Sequence, residues 1–342
     1  MPLFLFDTIL ECAAKTPKHR LQSLRLLRTR RPAPCAGPIR ASTFGRFPYS
    51  TFDGPSVAPQ RPQESEEPMP PDYESRTYWK DRFEGEGHFE WLGDGKDTII
   101  PHVRSHLINL REHGQPSARA GSSTPARVLH VGAGTSSLSE RLRELYLDVY
   151  GDDVDERAIV NADFAENLVV RKRTAEEARR AGRGPCKGMR WVCADALKWT
   201  ELDSILKTEG HTFDLVVDKS TSDAISCGED ICYTSADPKL HPAFNNYLAA
   251  GKSLTLSPVE VFAIHLSSLV HPGGLWIALT FSSNRFPFWS SPTETTDSPF
   301  PRAADYWNLD QVITVDAPTG LEGNAHAPVV QHHVYILRRK GA

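Results

Sequence analysis

The apolar and polar positions at residues 127–146 predict a strand, a tight turn and a helix, in that order. Val128, Leu129 and Val131 form a short apolar run, long enough for a strand that is buried on both faces of a parallel sheet. Gly132 and Gly134 follow it, and the next residues, S-S-L-S-E-R-L-R-E-L-Y, repeat apolar side chains at helical spacing. Such a turn brings backbone N–H groups at a helix N-terminus close to a ligand. We therefore expect a nucleotide-type ligand at this turn.

Further apolar runs predict three more strands with helices between them, then a fifth strand and a final pair. These strands are expected at 148–150, 189–193, 213–217, 275–281, 311–315 and 329–337. Helical patterns occupy about residues 156–180, 201–208 and 257–270. No helix pattern separates the last two strands, so they should pair antiparallel at one sheet edge. The elements predict an α/β fold: a Rossmann-like, seven-stranded, mostly parallel sheet with helices on both faces and an antiparallel last strand.

Acidic residues follow the second and third predicted strands. In nucleoside-binding α/β folds, a carboxylate after the second strand accepts hydrogen bonds from the ribose hydroxyls, about 20 residues beyond the glycines. Asp153 has this spacing, with Asp152 and Asp155 as alternatives. Asp195 follows the third strand, where it can accept from an adenine amine while the small Ala196 leaves room for the ring. Because ligands bind at the carboxyl ends of parallel strands, we expect Asp153 and Asp195 on the same rim of the sheet.

The glycine turn lacks one feature of a dinucleotide site. The fingerprint G-x-G-x-x-G requires a third glycine for close packing of helix and strand, and Ser137 stands at that position. The chain also has no Tyr-x-x-x-Lys pair after the fourth predicted strand. Both observations disfavour an NAD-type oxidoreductase. A catalytically silent scaffold that keeps the fold for binding is a second alternative, disfavoured because the glycines and acidic residues are intact.

Composition divides the chain at about residue 72. Residues 1–50 contain nine Lys or Arg, with only Asp7 and Glu11 as acidic residues, and are typical of an organelle transit peptide, particularly a mitochondrial one. The proline-rich stretch that ends at Pro71 is expected to be a disordered linker. We therefore predict an N-terminal extension and linker at 1–71 and one folded domain at 72–342. Mitochondrial localisation is expected, with the cytoplasm as the alternative.

Charge and cysteine content narrow the range of partners. The chain has a net charge of −4; without the residues 1–50 it has 30 basic and 41 acidic residues, a net charge of −11. An acidic body argues against a nucleic-acid partner and suits a basic peptide or protein. No apolar run is long enough to span a bilayer. The six cysteines form no C-x-x-C pair, which predicts free thiols and no metal site.

The stretch from residue 72 to 95 is dense in both aromatic and charged residues. Tyr78, Trp79 and Phe83 lie at helical spacing, and F-E-W-L follows after a glycine-rich turn. The aromatic side chains can pack an N-terminal helix against the domain. They can also form a cap over the ligand, with Trp79 or Trp91 beside a cation. The residues leave both roles open.

Several motifs together resemble class I S-adenosylmethionine-dependent methyltransferases, whose motif I is similar to V-L-H-V-G-A-G-T-S-S-L. Y-W-K-D-R-F, F-E-W-L and F-D-L-V-V-D-K-S-T-S-D-A-I resemble one branch, the methyltransferase-like lysine methyltransferases that act on translation elongation factor one-alpha or, in mitochondria, on citrate synthase. H-H-V-Y-I-L-R-R-K resembles the branch's last strand. The resemblance covers about residues 73–340. Ala133, Ser220 and Ser222 depart from the usual Cys, Gly and Leu, and the last two alter the substrate-side loop, so the target can differ.

The resemblance implies roles for individual residues. The glycines would pass under the methionine part of the cofactor, Asp153 would bind its ribose, and Asp195 with Ala196 would flank adenine. Asp218 would lie at the methyl-donor end. The residues expected to bind the cofactor are Tyr78, Trp91, Gly132, Gly134, Asp153, Asp195, Ala196 and Asp218. Those expected to be catalytic are Asp218, Lys219 and Asp223.

These observations predict a protein-lysine N-methyltransferase that uses S-adenosyl-L-methionine and no metal. Methyl transfer from a sulfonium is an in-line displacement, so the protein must mainly align the nucleophile and exclude water. A lysine must first lose its proton, which desolvation favours, and Asp218 could then orient the amine. Small-molecule methylation uses the same scaffold and stays an alternative, because fold alone does not define the substrate.

Overall fold

The computed structural model describes residues 71–113, 124–182, 184, 187–235, 237, 239–289, 300–317 and 330–341. The predictions for residues 1–70, including the transit peptide, lie outside these ranges. Within them, no helix is long and apolar enough to cross a membrane. The same ranges contain no group of three or more His, Cys, Asp or Glu side chains that could hold a metal ion.

A seven-stranded sheet lies at the centre of the described part of the chain. The nine strands of the structure are β1 (Val128–Val131), β2 (Ile159–Asp163), β3 (Arg190–Cys193), β4 (Phe213–Lys219), β5 (Ile231–Tyr233), β6 (Leu254–Leu256), β7 (Val270–Thr280), β8 (Trp307–Asp316) and β9 (Gln331–Arg339). The sheet order is β3-β2-β1-β4-β7-β9-β8, while β5 and β6 form a small antiparallel pair. In the large sheet, the neighbouring strands β3, β2, β1, β4 and β7 are parallel to one another. Strand β9 is antiparallel to both β7 and β8. The predicted fold is confirmed.

Helices cover both faces of this sheet. They are α1 (Arg76–Gly85), α2 (Ile100–His113), α3 (Leu138–Tyr150), α4 (Glu166–Arg180), α5 (Trp199–Glu209), α6 (Thr221–Ile225), α7 (Asn245–Ala249), α8 (Pro258–Leu269) and α9 (Ala303–Tyr306). Successive side chains of a strand point to opposite faces, so Val128 of β1 belongs to the core that contains α2 and α3. Its neighbour Leu129 belongs to the core that contains α5 and α8.

The second strand lies ten residues or so beyond its predicted place. Residues 148–150 are the last turn of α3, which continues because Tyr146 and Val149 are buried on its apolar face. Gly151 ends the helix with a positive φ of 91°. Strand β2 is I-V-N-A-D at 159–163, inside the stretch predicted to be helical, and all five of its residues are buried. The structure also contains β5, α7 and β6 between residues 231 and 256, where the sequence analysis placed no element.

The order of the strands positions the functional cleft. From β1 the chain adds β2 and β3 on one side and β4 on the other, so the loops that leave β1 and β4 diverge. In open α/β sheets, ligands bind in the crevice that this reversal creates outside the carboxyl ends of the strands. The glycine turn after β1 and the polar segment after β4 both lie at this crevice.

Candidate cofactor and active site

A cavity of about 340 Å³ opens at the carboxyl ends of β1 and β4. Its walls include the glycine turn at 132–136, the segment 219–221, and residues at the ends of β2 and β3. A further wall, rich in aromatic residues, comes from the segment 71–97, here called the cap, which contains α1. The cap residues with aromatic rings at the cavity are Tyr73, Trp79, Phe83, Phe89 and Trp91. The volume is in the range of small-molecule and cofactor sites, about 300–1,000 Å³.

The glycine turn has the backbone conformation that its sequence predicts, but the space beside Gly132 is filled. Gly132 and Gly134 have φ values of 61° and 57°, in the left-handed region that favours glycine. A Cβ atom on Gly132 would lie 2.0 Å from Oγ1 of Thr221. That hydroxyl donates to the carbonyl of Val131 at 2.9 Å. The missing side chain of Gly132 thus lets α6 pack against β1, while the turn as a whole still lines the cavity.

A carboxylate of the cap occupies the N-terminus of α3. Glu90 accepts hydrogen bonds from the backbone N–H of Ser137 at 2.7 Å and from the Ser136 hydroxyl at 2.8 Å. Burial opposes ionisation of Glu90, but hydrogen bonds from Ser137 and from the Lys219 ammonium lower its pKa to about 2. A negative charge is favourable at a helix N-terminus. The expected contact between ligand and helix end is therefore replaced by a contact within the protein.

Asp163, the last residue of β2, takes the position that was expected for Asp153. Its carboxylate lines the cavity and accepts from the backbone N–H groups of Gly134 and Ala165, each at 2.9 Å. Burial raises the pKa of Asp163 to about 6. Asp153 instead lies in the turn that precedes β2, at the amino end of that strand. The prediction for Asp153 is wrong, and the rim shared with Asp195 is formed by Asp163.

The residues after β3 lie where the sequence placed them. Asp195 and Ala196 both line the cavity. The carboxylate of Asp195 accepts from the backbone N–H of Leu197 at 3.0 Å and pairs with the Lys198 ammonium at 3.1 Å. Nδ1 of His265, on α8, lies 3.0 Å from the carbonyl oxygen of Ala196. These contacts fix the shape of the segment, while its proposed contact with adenine stays a prediction.

Asp218 does not reach the cavity. Its side chain is fully buried, and Oδ1 accepts from the backbone N–H groups of Thr221 at 2.9 Å and Ser222 at 3.3 Å. Burial raises the pKa of Asp218 to about 7. The carboxyl group thus joins the end of β4 to the first turn of α6. The prediction that Asp218 contacts the cofactor and orients the acceptor amine is wrong in its geometry.

Lys219 and Asp223, which were predicted to be catalytic, line the cavity, but their polar atoms are engaged inside the protein. Asp223 accepts from the Thr280 hydroxyl at 2.7 Å and forms a buried ion pair with Arg285 at 2.6 Å. Lys219 forms an ion pair with Glu90 at 2.9 Å. Both residues therefore shape the walls of the cavity: the Lys219 ammonium has no lone pair, and the Asp223 carboxylate is held in its ion pair with Arg285.

The two aromatic residues expected to close the pocket differ in position. Trp91 lines the cavity and meets Tyr73 edge-on, with ring centroids 5.5 Å apart. Tyr78 packs edge-on against Tyr73 and Trp79, and its hydroxyl accepts from Arg82 at 2.8 Å. Trp91 thus lies at the cavity, and its contact with the cofactor stays a prediction. Tyr78 supports the cap from behind and does not line the cavity.

Two residues of the site, Asp163 and Glu90, were missed in the sequence. Asp163 ends the apolar run I-V-N-A-D, which has the same form as the run before Gly132. This run was missed because the residues around it have a helical pattern, although a short apolar run is itself a signal of a buried strand. Glu90 is the acidic residue of F-E-W-L, a motif that sequence inspection interpreted through its aromatic residues alone.

Comparison with known proteins agrees with the enzyme class that the sequence resembles. The chain is 27% identical over 274 residues to the methyltransferase srdJ of Neurospora crassa, and the match covers 80% of this chain and 87% of that protein. No family profile matches the chain. The relative is named as a methyltransferase, which is the enzyme class that the sequence resembles. The narrower lysine methyltransferase branch stays a prediction.

Two solved structures match the chain with TM-scores below 0.5. An S-adenosylmethionine-dependent methyltransferase from Anabaena variabilis has a TM-score of 0.43 and 8% identity, and the match covers 79% of this chain and 95% of that one. The N-methyltransferase NodS from Bradyrhizobium japonicum, in complex with S-adenosyl-L-homocysteine, has a TM-score of 0.39 and 10% identity. That match covers 77% of this chain and 98% of that one.

Proposed function

We propose that this chain is an S-adenosyl-L-methionine-dependent methyltransferase that methylates a lysine side chain of a protein. The observation that carries the proposal is the cavity between β1 and β4, whose wall contains the carboxylates of Asp163 and Asp195 together with an aromatic cap. The likeness to srdJ supports the enzyme class.

The residues at the cavity fit this cofactor. Asp163 would accept hydrogen bonds from the ribose hydroxyls, and Asp195 with Ala196 would flank the adenine ring. Trp79 and Trp91 offer aromatic faces to a positively charged sulfur. S-adenosylmethionine supplies an activated methyl group on that sulfur, so the chain needs no metal and no covalent nucleophile.

The same geometry argues against a dinucleotide. A pyrophosphate would need the N–H groups at the N-terminus of α3. The Glu90 carboxylate already accepts from Ser137 there, and two anions at one helix end would repel each other. An NAD-type oxidoreductase is therefore disfavoured by Glu90 as well as by Ser137 at the third glycine position.

For the reaction itself, the protein would contribute alignment and exclusion of water. The aromatic cap and the apolar end of α6, including Ile225, line the cavity, and an amine that enters such surroundings loses hydration. Loss of hydration lowers the pKa of a lysine amine and favours the neutral nucleophile. No side chain of the described cavity wall needs to act as a base in this scheme.

Carboxylates at the cavity support a cationic acceptor. Glu74 lines the cavity, and its pKa is raised by partial burial and by the nearby Asp72 and Glu229. A group of like charges that is held together in this way attracts a positive side chain. The acidic body of the chain beyond residue 50 would extend the attraction to a basic protein surface.

The test is methylation of a cell extract with cofactor that carries a labelled methyl group. We expect label on a polypeptide, and mass spectrometry of that polypeptide should locate the methyl group on lysine. Label found only in small molecules would contradict the lysine proposal and favour the small-molecule alternative. Absence of both label and cofactor binding, measured by titration calorimetry, would favour the silent scaffold.

We also propose that the protein acts in mitochondria, on the basis of the basic, nearly acid-free residues 1–50. A fluorescent protein that carries residues 1–71 at its N-terminus should accumulate there. A variant fusion in which the arginines of this segment are replaced by glutamine should remain in the cytoplasm. Equal distribution of the two fusions would contradict the proposal.

A further inference from the structure

The side chain of Lys219 is directed entirely at the cap. It is 4% exposed, and its ammonium donates to the carboxylate of Glu90 at 2.9 Å and to the carbonyls of Trp91 at 2.9 Å and Gly93 at 2.6 Å. An ammonium has three protons, so these three acceptors satisfy it completely. Lys219 therefore holds a loop of the cap against the end of β4.

Glu90 extends this connection to the glycine turn. Beyond its ion pair with Lys219, its carboxylate accepts from the hydroxyl of Ser136 and from the backbone N–H of Ser137. Ser136 lies on the cavity wall. One carboxylate thus joins the cap, the end of β4 and the turn after β1, three of the parts that line the cavity.

The cap loop is strained at the point where Lys219 holds it. Leu92 has a φ of 60°, in the left-handed region that is unfavourable for a residue with a side chain, and Gly93 follows with a φ of 77°. Leu92 stands between Trp91 and Gly93, the two residues whose carbonyls accept from Lys219. Such strain persists only where surrounding contacts hold it. The loop would relax to another conformation without them.

We propose that Lys219 and Glu90 form a clasp that holds the cap closed over the cofactor, which makes Lys219 a positioning residue for cofactor binding and not a catalytic one. The clasp, defined as Lys219, Glu90 and the carbonyls of Trp91 and Gly93, sets how tightly the cofactor is retained. Release of the clasp lets the strained loop relax and moves Trp91 away from the cavity wall. This inference rests on the proposed use of S-adenosylmethionine.

The test compares Lys219→Met with the wild-type full chain and with Lys207→Met, a control whose ammonium lies on the exposed side of α5 in a pair with Asp203. Titration calorimetry with S-adenosyl-L-homocysteine gives the Kd. We expect Lys219→Met to raise the Kd about tenfold or more, the loss typical of removing a hydrogen-bonded charge. Lys207→Met should leave it unchanged.

Limited proteolysis by trypsin reports on the cap itself. Cleavage after Lys80 or Arg82 should be faster in Lys219→Met than in either reference protein, while cleavage elsewhere should keep its rate. A lower melting temperature with an unchanged Kd and unchanged cleavage of the cap would overturn the proposal, because a merely structural contact predicts that result.

Glu90→Gln and the double variant complete the test and cover a failure of Lys219→Met to fold. Because both residues belong to one clasp, the Kd of the double variant should be only slightly higher than that of whichever single variant has the higher Kd. Effects on the Kd that simply add would contradict the clasp. If the wild-type protein does not bind S-adenosyl-L-homocysteine, the proposed function fails, and the cleavage rates of the cap still decide whether the clasp exists.

Discussion

Asp163 lines the cavity in the position that the sequence analysis assigned to Asp153. Replacing Asp163 with Asn removes the charge that ribose hydroxyls would meet, and it also replaces one of the two oxygens that accept from Gly134 and Ala165 by a donor NH2 group. We expect the Kd for S-adenosyl-L-homocysteine to rise about tenfold to a hundredfold, because hydrogen bonds to a charged group contribute about 1.5–3 kcal/mol. Asp153→Asn is the matched control and should bind as the wild type does. Titration calorimetry of both variants decides between them, and the opposite ranking would restore Asp153.

Gly132 is needed for two separate reasons, and two variants can measure them. In Gly132→Ala, the new Cβ would meet Thr221 and would also sit at a positive φ. We expect the free energy of unfolding to fall by about 2–5 kcal/mol, of which left-handed strain accounts for about 1–2 kcal/mol and overpacking for about 1–3 kcal/mol. Gly210→Ala has a similar φ of 72° in open space and should lose the first part alone. If urea unfolding shows the same loss of stability for Gly132→Ala and Gly210→Ala, the contact with Thr221 adds no destabilisation.

Ser220 adopts a conformation that suits glycine better. Its φ is 64°, and its hydroxyl is buried without a hydrogen-bond partner in the described structure. Ser220→Gly should therefore stabilise the fold by about 1 kcal/mol, since it removes left-handed strain of about 1–2 kcal/mol at some cost in chain entropy. Ser220→Ala keeps the strain and removes only the hydroxyl. If Ser220→Ala raises the urea midpoint as much as Ser220→Gly, strain is not the reason.

At the scale of elements, the short helix α6 depends on the carboxyl group of Asp218. An Asn side chain can accept from the same two N–H groups, so Asp218→Asn should change the free energy of unfolding by no more than about 1 kcal/mol. Methyl transfer should keep its rate within about threefold, because the group does not reach the cavity. A general acid or base contributes about 10²–10⁴-fold. A loss of that size in a single-turnover assay, with an intact fold, would restore the catalytic role.

The elements that the sequence predicted well are those with a clear signal beside them. Strand β1 leads directly into the glycine turn, and α8 has helical spacing behind a first-turn proline, so both were found. Strand β2 contains one buried polar residue, Asn161, as β1 contains His130, but it lies inside the stretch 156–180, which has a helical pattern, and it was therefore missed. The amide of Asn161 lies 3.2 Å from His130, a tertiary contact that a single sequence does not show.

The accuracy of the site predictions depended on the accuracy of the strand predictions. Residues that directly follow a recognised strand, such as Asp195, lie at the cavity, because strand ends determine which residues reach the rim. The prediction for Asp153 depended on a strand at 148–150, and the structure shows the last turn of α3 there. Asp218 follows a correctly predicted strand, yet its side chain turns inward to bond with α6. The direction of a side chain depends on packing, so spacing along the chain did not reveal it.

For the whole molecule, buried titratable groups determine how stability depends on pH. The pKa values of four histidines are lowered to about 3 or 4 by burial: His106, His130, His241 and His265. Unfolding lets them bind protons below pH 6.5, so the stability present above that pH is lost as the pH falls. Asp163 and Asp218 have raised pKa values and act in the opposite direction, stabilising the fold as the pH falls below 6 to 7.

Because the histidines outnumber these two carboxyl groups, we expect the free energy of unfolding to decrease between pH 6.5 and pH 5. Each group changes it by at most about 1.4 kcal/mol per pH unit. Urea unfolding at half-unit steps from pH 5 to pH 8 measures the trend. His265→Gln should flatten the slope relative to an exposed control, His113→Gln. A midpoint that rises on acidification would contradict the assignment of neutral buried histidines.

The position of β9 between β7 and β8 has a consequence for synthesis on the ribosome. Strand β8 is made before β9 and, among the strands that the structure describes, it pairs with β9 alone. While residues 331–339 are still inside the exit tunnel, β7 presents an unpaired edge and β8 has nothing to bind. The nascent chain therefore completes its sheet only after translation has passed this segment, and until then chaperones would meet an open edge.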